Sequence, residues 1–330
     1  MNSSFNLSAN IENGFLMGNQ YVVTPNGRKA VQNILKDFHS GIHSFTIIGS
    51  YGTGKSSFLL ALEADLDTKN EQKRLLNPEN LSAASAYEIL NIVGDYSEMS
   101  TLLGKKLNVD GNSNSILDEL KAFYNRLKSQ NKFLLIVVDE FGKVLEHAAK
   151  NNPEQELYFL QKLAEFVNVP TRNILLLTTL HQNFGSYSKD LTETQKNEWI
   201  KVKGRFKEIT FVEPVEQLLY LASRQLPKKP CEFGIETAFD LYQLAIETKI
   251  ISSSFSENIA CQLFPLDAFS AFAITMAMQR YGQNERSLFT FLNNRGHNSL
   301  SEFQPKRNFT YHLLSSPISM ARKNYVIINS

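Results

Sequence analysis

A chain of 330 residues, 42% of them hydrophobic, can bury a sizeable core, and its length suggests about two domains. A net charge of +1 leaves no global basic field to gather nucleic acid, so any such contact would need a local patch. Cys231 and Cys261 stand far apart with no metal-binding spacing, no apolar run reaches the roughly 18 residues that span a bilayer, and the N-terminus lacks a secretory pattern, so the expectation is a cytoplasmic protein with no membrane contact.

In chain order, residues 27–38 have helical spacing, and Ser44-Phe45-Thr46-Ile47-Ile48 then reads as a short apolar, β-branched strand. The next eight residues, Gly49-Ser50-Tyr51-Gly52-Thr53-Gly54-Lys55-Ser56, spell G-x-x-x-x-G-K-[ST], and Ser57 opens a stretch of helix-forming composition. A triphosphate can be wrapped by backbone N–H groups only where no Cβ blocks the approach and φ can turn positive, which Gly52 and Gly54 provide. Lys55 supplies a point charge for the β and γ phosphates, and the Ser56 hydroxyl is placed to ligate Mg²⁺. Ser57 is placed to touch the α phosphate, and the helix N-terminus adds its positive dipole end. ATP with Mg²⁺ is therefore the expected ligand.

Residues 87–93 read as a second strand, and a helix is expected over 116–128. Phe133-Leu134-Leu135-Ile136-Val137-Val138 is the continuous apolar run of a central parallel strand, and it ends in Asp139-Glu140. In a phosphate-loop fold Asp139 would hold the Mg²⁺ shell and Glu140 would orient and polarise the attacking water. Helical spacing recurs over 154–167, and a further buried strand, Asn173 to Thr179, carries its polar residues at the C-terminal end, where ligands of open α/β sheets bind. Thr179, or Thr178 if the register differs by one, could bond the attacking water or the γ-phosphate. His181 reads as a structural histidine in preference to a nucleotide contact, and Trp199 as core. Residues 198–211 read as a basic turn entering a short alternating strand, with Lys201, Lys203, Arg205 and Lys207 forming a solvated or nucleic-acid-facing strip. Pro227-Lys228-Lys229-Pro230 cannot continue a helix and marks the expected hinge between residues 1–226 and 227–330.

The order of phosphate loop, Asp-Glu strand, polar-tipped strand, Gly204-Arg205-Phe206 before a strand, and Glu216-Gln217-Leu218-Leu219 resembles the AAA+ ATPases, in particular the branch of origin-recognition proteins and STAND signalling ATPases. The resemblance implies an α/β fold: a P-loop NTPase parallel sheet flanked by helices, followed by a helical lid domain. It implies that Arg205 acts across a subunit boundary as an arginine finger, and hence a homo-oligomer formed through the Arg205 face. It also implies that Arg286, in Gln283-Asn284-Glu285-Arg286-Ser287-Leu288-Phe289, reaches from the lid to the γ-phosphate. The wording Asp-Glu-Phe-Gly-Lys, Leu-His-Gln and Lys-Gly-Arg-Phe is also similar to that of large bacterial ATPases of phage-exclusion (BREX-type) systems, which implies an effector or defence-complex partner. The competing expectations are an ATP-dependent scaffold or DNA-loading adaptor with little turnover, and direct nucleic-acid binding through the basic strip.

Overall fold

Six consecutive apolar residues from Phe133 to Val138 need cover on both faces, because a strand sends alternate side chains to opposite sides. The computed structural model supplies that cover. It describes residue 11 and residues 21–67, 74–76, 78, 81, 83–189, 191–225, 235–253, 255–263, 266–281 and 292. Five parallel strands, β1 (Ser44–Ile48), β2 (Ala86–Val93), β3 (Lys132–Asp139), β4 (Ile174–Leu180) and β5 (Lys207–Thr210), form one sheet in the order β2-β3-β4-β1-β5. On one face Leu134, Ile136 and Val138 of β3 join Leu176 of β4 and the inner residues of α3 (Met99–Leu107), α4 (Ser113–Ser129), α5 (Phe141–Lys150), α6 (Pro153–Val167) and α7 (Glu193–Lys203). On the other, Phe133, Leu135 and Val137 join Phe45, Ile47, α1 (Pro25–His39) and α2 (Lys55–Asp67). The fold class is therefore the expected one, an α/β parallel sheet flanked by helices with the phosphate-loop segment between β1 and α2.

Local chemistry explains several boundaries. Thr24 caps α1 by accepting from the Gly27 N–H at 2.9 Å, with Pro25 fixing φ in the first turn. α2 is buried nearly all round, so it lacks the polar stripe of a surface helix. Residues 198–203, expected in a basic turn, instead belong to α7, whose start has a capping box made by Thr192 and Gln195. Trp199 is core, as expected, with Nε1 donating to the Phe184 carbonyl at 3.0 Å.

The chain divides into two compact units, Met1–Val212 and Glu213–Ser330. In the second, α8 (Val215–Gln225), α9 (Ile235–Glu247), α10 (Glu257–Gln262) and α11 (Ala268–Tyr281) share a core built on Leu218, Leu219, Ala222, Leu263 and Ala271. The residues expected to form the hinge, Pro227 to Pro230, and Arg286 lie outside the described residues. No described helix is long and apolar enough to cross a membrane.

Candidate active site

The phosphate loop leaves the sheet from between two neighbours. Gly49 donates its N–H to the Leu180 carbonyl at 3.1 Å, and Phe211 donates to Ile48 at 2.6 Å. A Cβ on Gly49 would lie 2.2 Å from the Phe211 carbonyl oxygen, so this glycine serves a close backbone approach. Gly52 and Gly54 serve conformation, with φ of 73° and 85°, and a Cβ on Gly54 would meet nothing within 4 Å. The loop thus has left-handed backbone where a bound phosphate needs it and open space beside Gly54, which fits a polyphosphate. Thr53 closes the turn through Oγ1 to the Ser50 carbonyl, and Ser56 and Ser57 sit half-buried in the first turn of α2.

Lys55 is 5% exposed. Its Nζ donates to the carbonyls of Gly49 at 2.6 Å and Ser50 at 2.9 Å, and lies 3.3 Å from His181 Nδ1. Burial pushes its pKa down to about 8, opposed by the nearby charges of Asp139 and Glu140. His181 in turn stacks on Tyr51, with ring centroids 3.4 Å apart and planes at 20°. Burial, then the charges of Lys55 and Lys143, hold the His181 pKa at about 3, so the ring is neutral and its Nδ1 accepts from the ammonium. His181 therefore belongs to the site, and neither its type nor its spacing announced that. Only the pairing of β4 beside β1 brings it over the loop.

The same pairing delivers the acids. Asp139 ends β3 almost fully buried, and its Oδ1 accepts from Thr179 Oγ1 at 2.6 Å and from the Glu140 N–H at 3.0 Å. Thr179 Oγ1 accepts from the Glu140 N–H as well, at 2.9 Å. Thr179 thus binds the two acids together. Thr178 faces into the sheet, where it meets Thr46 at 3.0 Å and donates to the Phe45 carbonyl. Both bonds to Asp139 fall on Oδ1, which leaves Oδ2 as the oxygen by which it could hold a hydrated cation with Ser56.

Glu140 has φ 54° and ψ 34°, a left-handed conformation costly for a residue with a Cβ. Its N–H is fixed as described, and its carbonyl lies against β2, where Gly94 donates to the Asp139 carbonyl at 2.7 Å. A Cβ on Gly94 would sit 2.4 Å from the Glu140 oxygen. Gly94→Ala should therefore lower stability by about 1–3 kcal/mol and displace Glu140, because backbone meets backbone and no side chain can yield. Thermal unfolding of the variant checks this, and an unchanged Tm would refute it. The Glu140 side chain reaches Lys143 Nζ at 2.5 Å across one turn of α5. Gly94 and Lys143 were both missed in the sequence. Lys143 could have been found from the i, i+3 spacing after Glu140.

Arg205 is not brought to this loop. Its carbonyl accepts from Ser44 Oγ at 2.6 Å and Asn168 Nδ2 at 2.9 Å, which places it at the start of β1, while the phosphate loop follows the end of that strand. Its guanidinium pairs with Glu165 at 2.6 Å and donates to the Lys201 carbonyl at 2.9 Å. The rest of the basic strip is paired too: Lys201 with Glu198, Lys203 with Glu208, and Lys207 with Asp37.

No protein-family model and no curated protein matches this chain. Solved structures similar to it include the ORC2 protein of Aeropyrum pernix in ADPNP-ADP complexes, at 15% identity and TM-score 0.43, covering 76% of this chain and 69% of that one. PCH-2 of C. elegans matches at 14% and 0.37 over 80% of this chain and 59% of its own. Domain III of the Thermotoga maritima replication initiation protein DnaA matches at 13% and 0.35 over 81% and 100%. At such identities and scores no activity, partner or residue role passes from these proteins to this chain.

Proposed function

We propose that this chain is a Mg²⁺-dependent ATPase whose nucleotide state drives a conformational and assembly switch. The observation that carries this reading is the buried Lys55 on its glycine loop, within electrostatic reach of Asp139 and Glu140 at the end of β3, one strand beyond β4. In this reading the backbone of Gly49 to Ser57 receives the phosphates, and Lys55 exchanges the carbonyls of Gly49 and Ser50 for the β and γ oxygens. Ser56 and Asp139 would hold Mg²⁺, which when bound offsets charge on the terminal phosphates. Thr179 keeps Asp139 and the Glu140 backbone in register. Glu140 takes a proton from the attacking water. The water oxygen bonds to the γ-phosphorus while the bridging P–O bond breaks, its electron pair leaving with ADP, and the proton ends on inorganic phosphate.

Arg205 acts in this scheme on a neighbour. Within its own chain it is separated from the loop by the five residues of β1, roughly 16 Å of strand. Reaching a partner's phosphate requires giving up Glu165, and a γ-phosphate-sensing role for Arg286 is part of the same proposal on the resemblance alone. The bacterial anti-phage setting, with an effector protein as partner, is part of the same proposal and rests on the resemblance of the motifs around Asp139, His181 and Arg205. The net charge of +1 supplies no basic field to gather nucleic acid, which favours this protein-contact reading over a nucleic-acid strip. Specific ATPase activity should rise with protein concentration, and Arg205→Ala should flatten that rise and lower turnover about 10³-fold. Equal activity of Arg205→Ala at every concentration would sink the role of the neighbour, and no turnover despite ATP binding would favour the scaffold reading.

A further inference from the structure

Phosphoryl transfer gathers positive charge around the equatorial oxygens of the moving group. On this chain's own phosphate-loop side, Arg205 contributes nothing, because its carbonyl is tied to Ser44 at the far end of β1. A second cation does belong to the constellation. Lys143 lies in the first turn of α5, and its Nζ is 2.5 Å from a carboxylate oxygen of Glu140. Its charge also reaches His181, which contacts Lys55, and Tyr51, which stacks on His181.

The placement is rigid at its root and loose at its tip. The Glu140 backbone is fixed by Asp139 and Thr179 in a left-handed turn, and α5 begins at the next residue, so the Cα of Lys143 cannot drift relative to the acids. The ion pair itself has side chains 50% and 37% exposed. A half-exposed i, i+3 pair is weakly held, because water screens it and two long side chains must be ordered to make it. A terminal phosphate carrying more charge than one carboxylate can therefore draw the ammonium across.

We propose that Lys143 is a catalytic cation supplied within the same chain, which leaves the Glu140 carboxylate to contact the terminal phosphate when a triphosphate binds. The exchange does two things in one movement. It adds charge where the transition state needs it, and it frees Glu140 to receive the proton of the attacking water. With a diphosphate bound there is no terminal oxygen within its reach, and Lys143 returns to Glu140. The proposal rests on the ATPase reading above and predicts that discrimination between tri- and diphosphate resides partly in this residue.

The test uses the full chain with Mg²⁺, measuring affinity for ATPγS and for ADP by calorimetry alongside steady-state turnover. Lys143→Met should leave ADP affinity within twofold, weaken ATPγS five- to tenfold and lower turnover 30- to 100-fold. Lys143→Arg should keep at least a third of the wild-type turnover and its preference for ATPγS. Turnover in Lys143→Met that is unchanged or raised, or ADP and ATPγS affinities falling together, would overturn the proposal. A wild-type chain that binds both nucleotides but hydrolyses neither removes the ATPase reading and leaves the ATPγS-to-ADP ratio to decide Lys143. One that binds neither overturns both.

Discussion

Lys55→Ala should weaken ATP binding about 10²-fold or more, the equivalent of about 3 kcal/mol for a charge-assisted contact in a buried site, and take turnover to background. The lysine is costly in the empty protein, since burial disfavours its ammonium and holds the pKa at about 8. A triphosphate replaces neutral carbonyls with anionic oxygens and so favours the charged form. Below pH 8 the ammonium is already present. Above it each binding event must take up a proton, and the apparent affinity should fall about tenfold per pH unit. Titration calorimetry between pH 7 and pH 9 checks this, and an affinity flat across that window would contradict the burial argument.

Glu140→Gln should keep ATP binding within a few-fold and lower turnover by about 10² to 10⁴, the range expected when a general base is lost. The amide keeps the size of the side chain, and the left-handed backbone is held by Asp139, Thr179 and the close approach of Gly94, none of which needs the carboxylate. The variant should trap the ATP-bound state, which allows the assembly step to be read without hydrolysis. Single-turnover measurement checks it, and wild-type turnover would remove Glu140 from the chemistry.

Much of the fold was legible because it is written in contiguous residues. The central strands announce themselves by unbroken apolar runs, and α6 by its 3.6-residue spacing, since each buries a full face. α7 was hidden because it buries only Trp199 and Val202, too few to show a period. Its Thr192 to Gln195 capping box was the available signal. α5 starts from a left-handed Glu140 with no side-chain cap, and its available signal was the helical spacing of Phe141, Val144, Leu145 and Ala148.

The sequence by itself determined the phosphate loop, the acid-tipped strand and the succession of the strands along the chain. These depend on local requirements: φ at Gly52 and Gly54, the dipole end of α2, and apolar content per strand. The tertiary structure decided which of the chemistry-bearing residues meet. Setting β4 between β1 and β3 brought His181 to Lys55 and Thr179 to Asp139. Placing β5 parallel beside β1 sent Arg205 to the opposite end. Strand order and register arise from packing two apolar faces between residues tens to more than a hundred positions apart, and no local pattern encodes a neighbour at that distance.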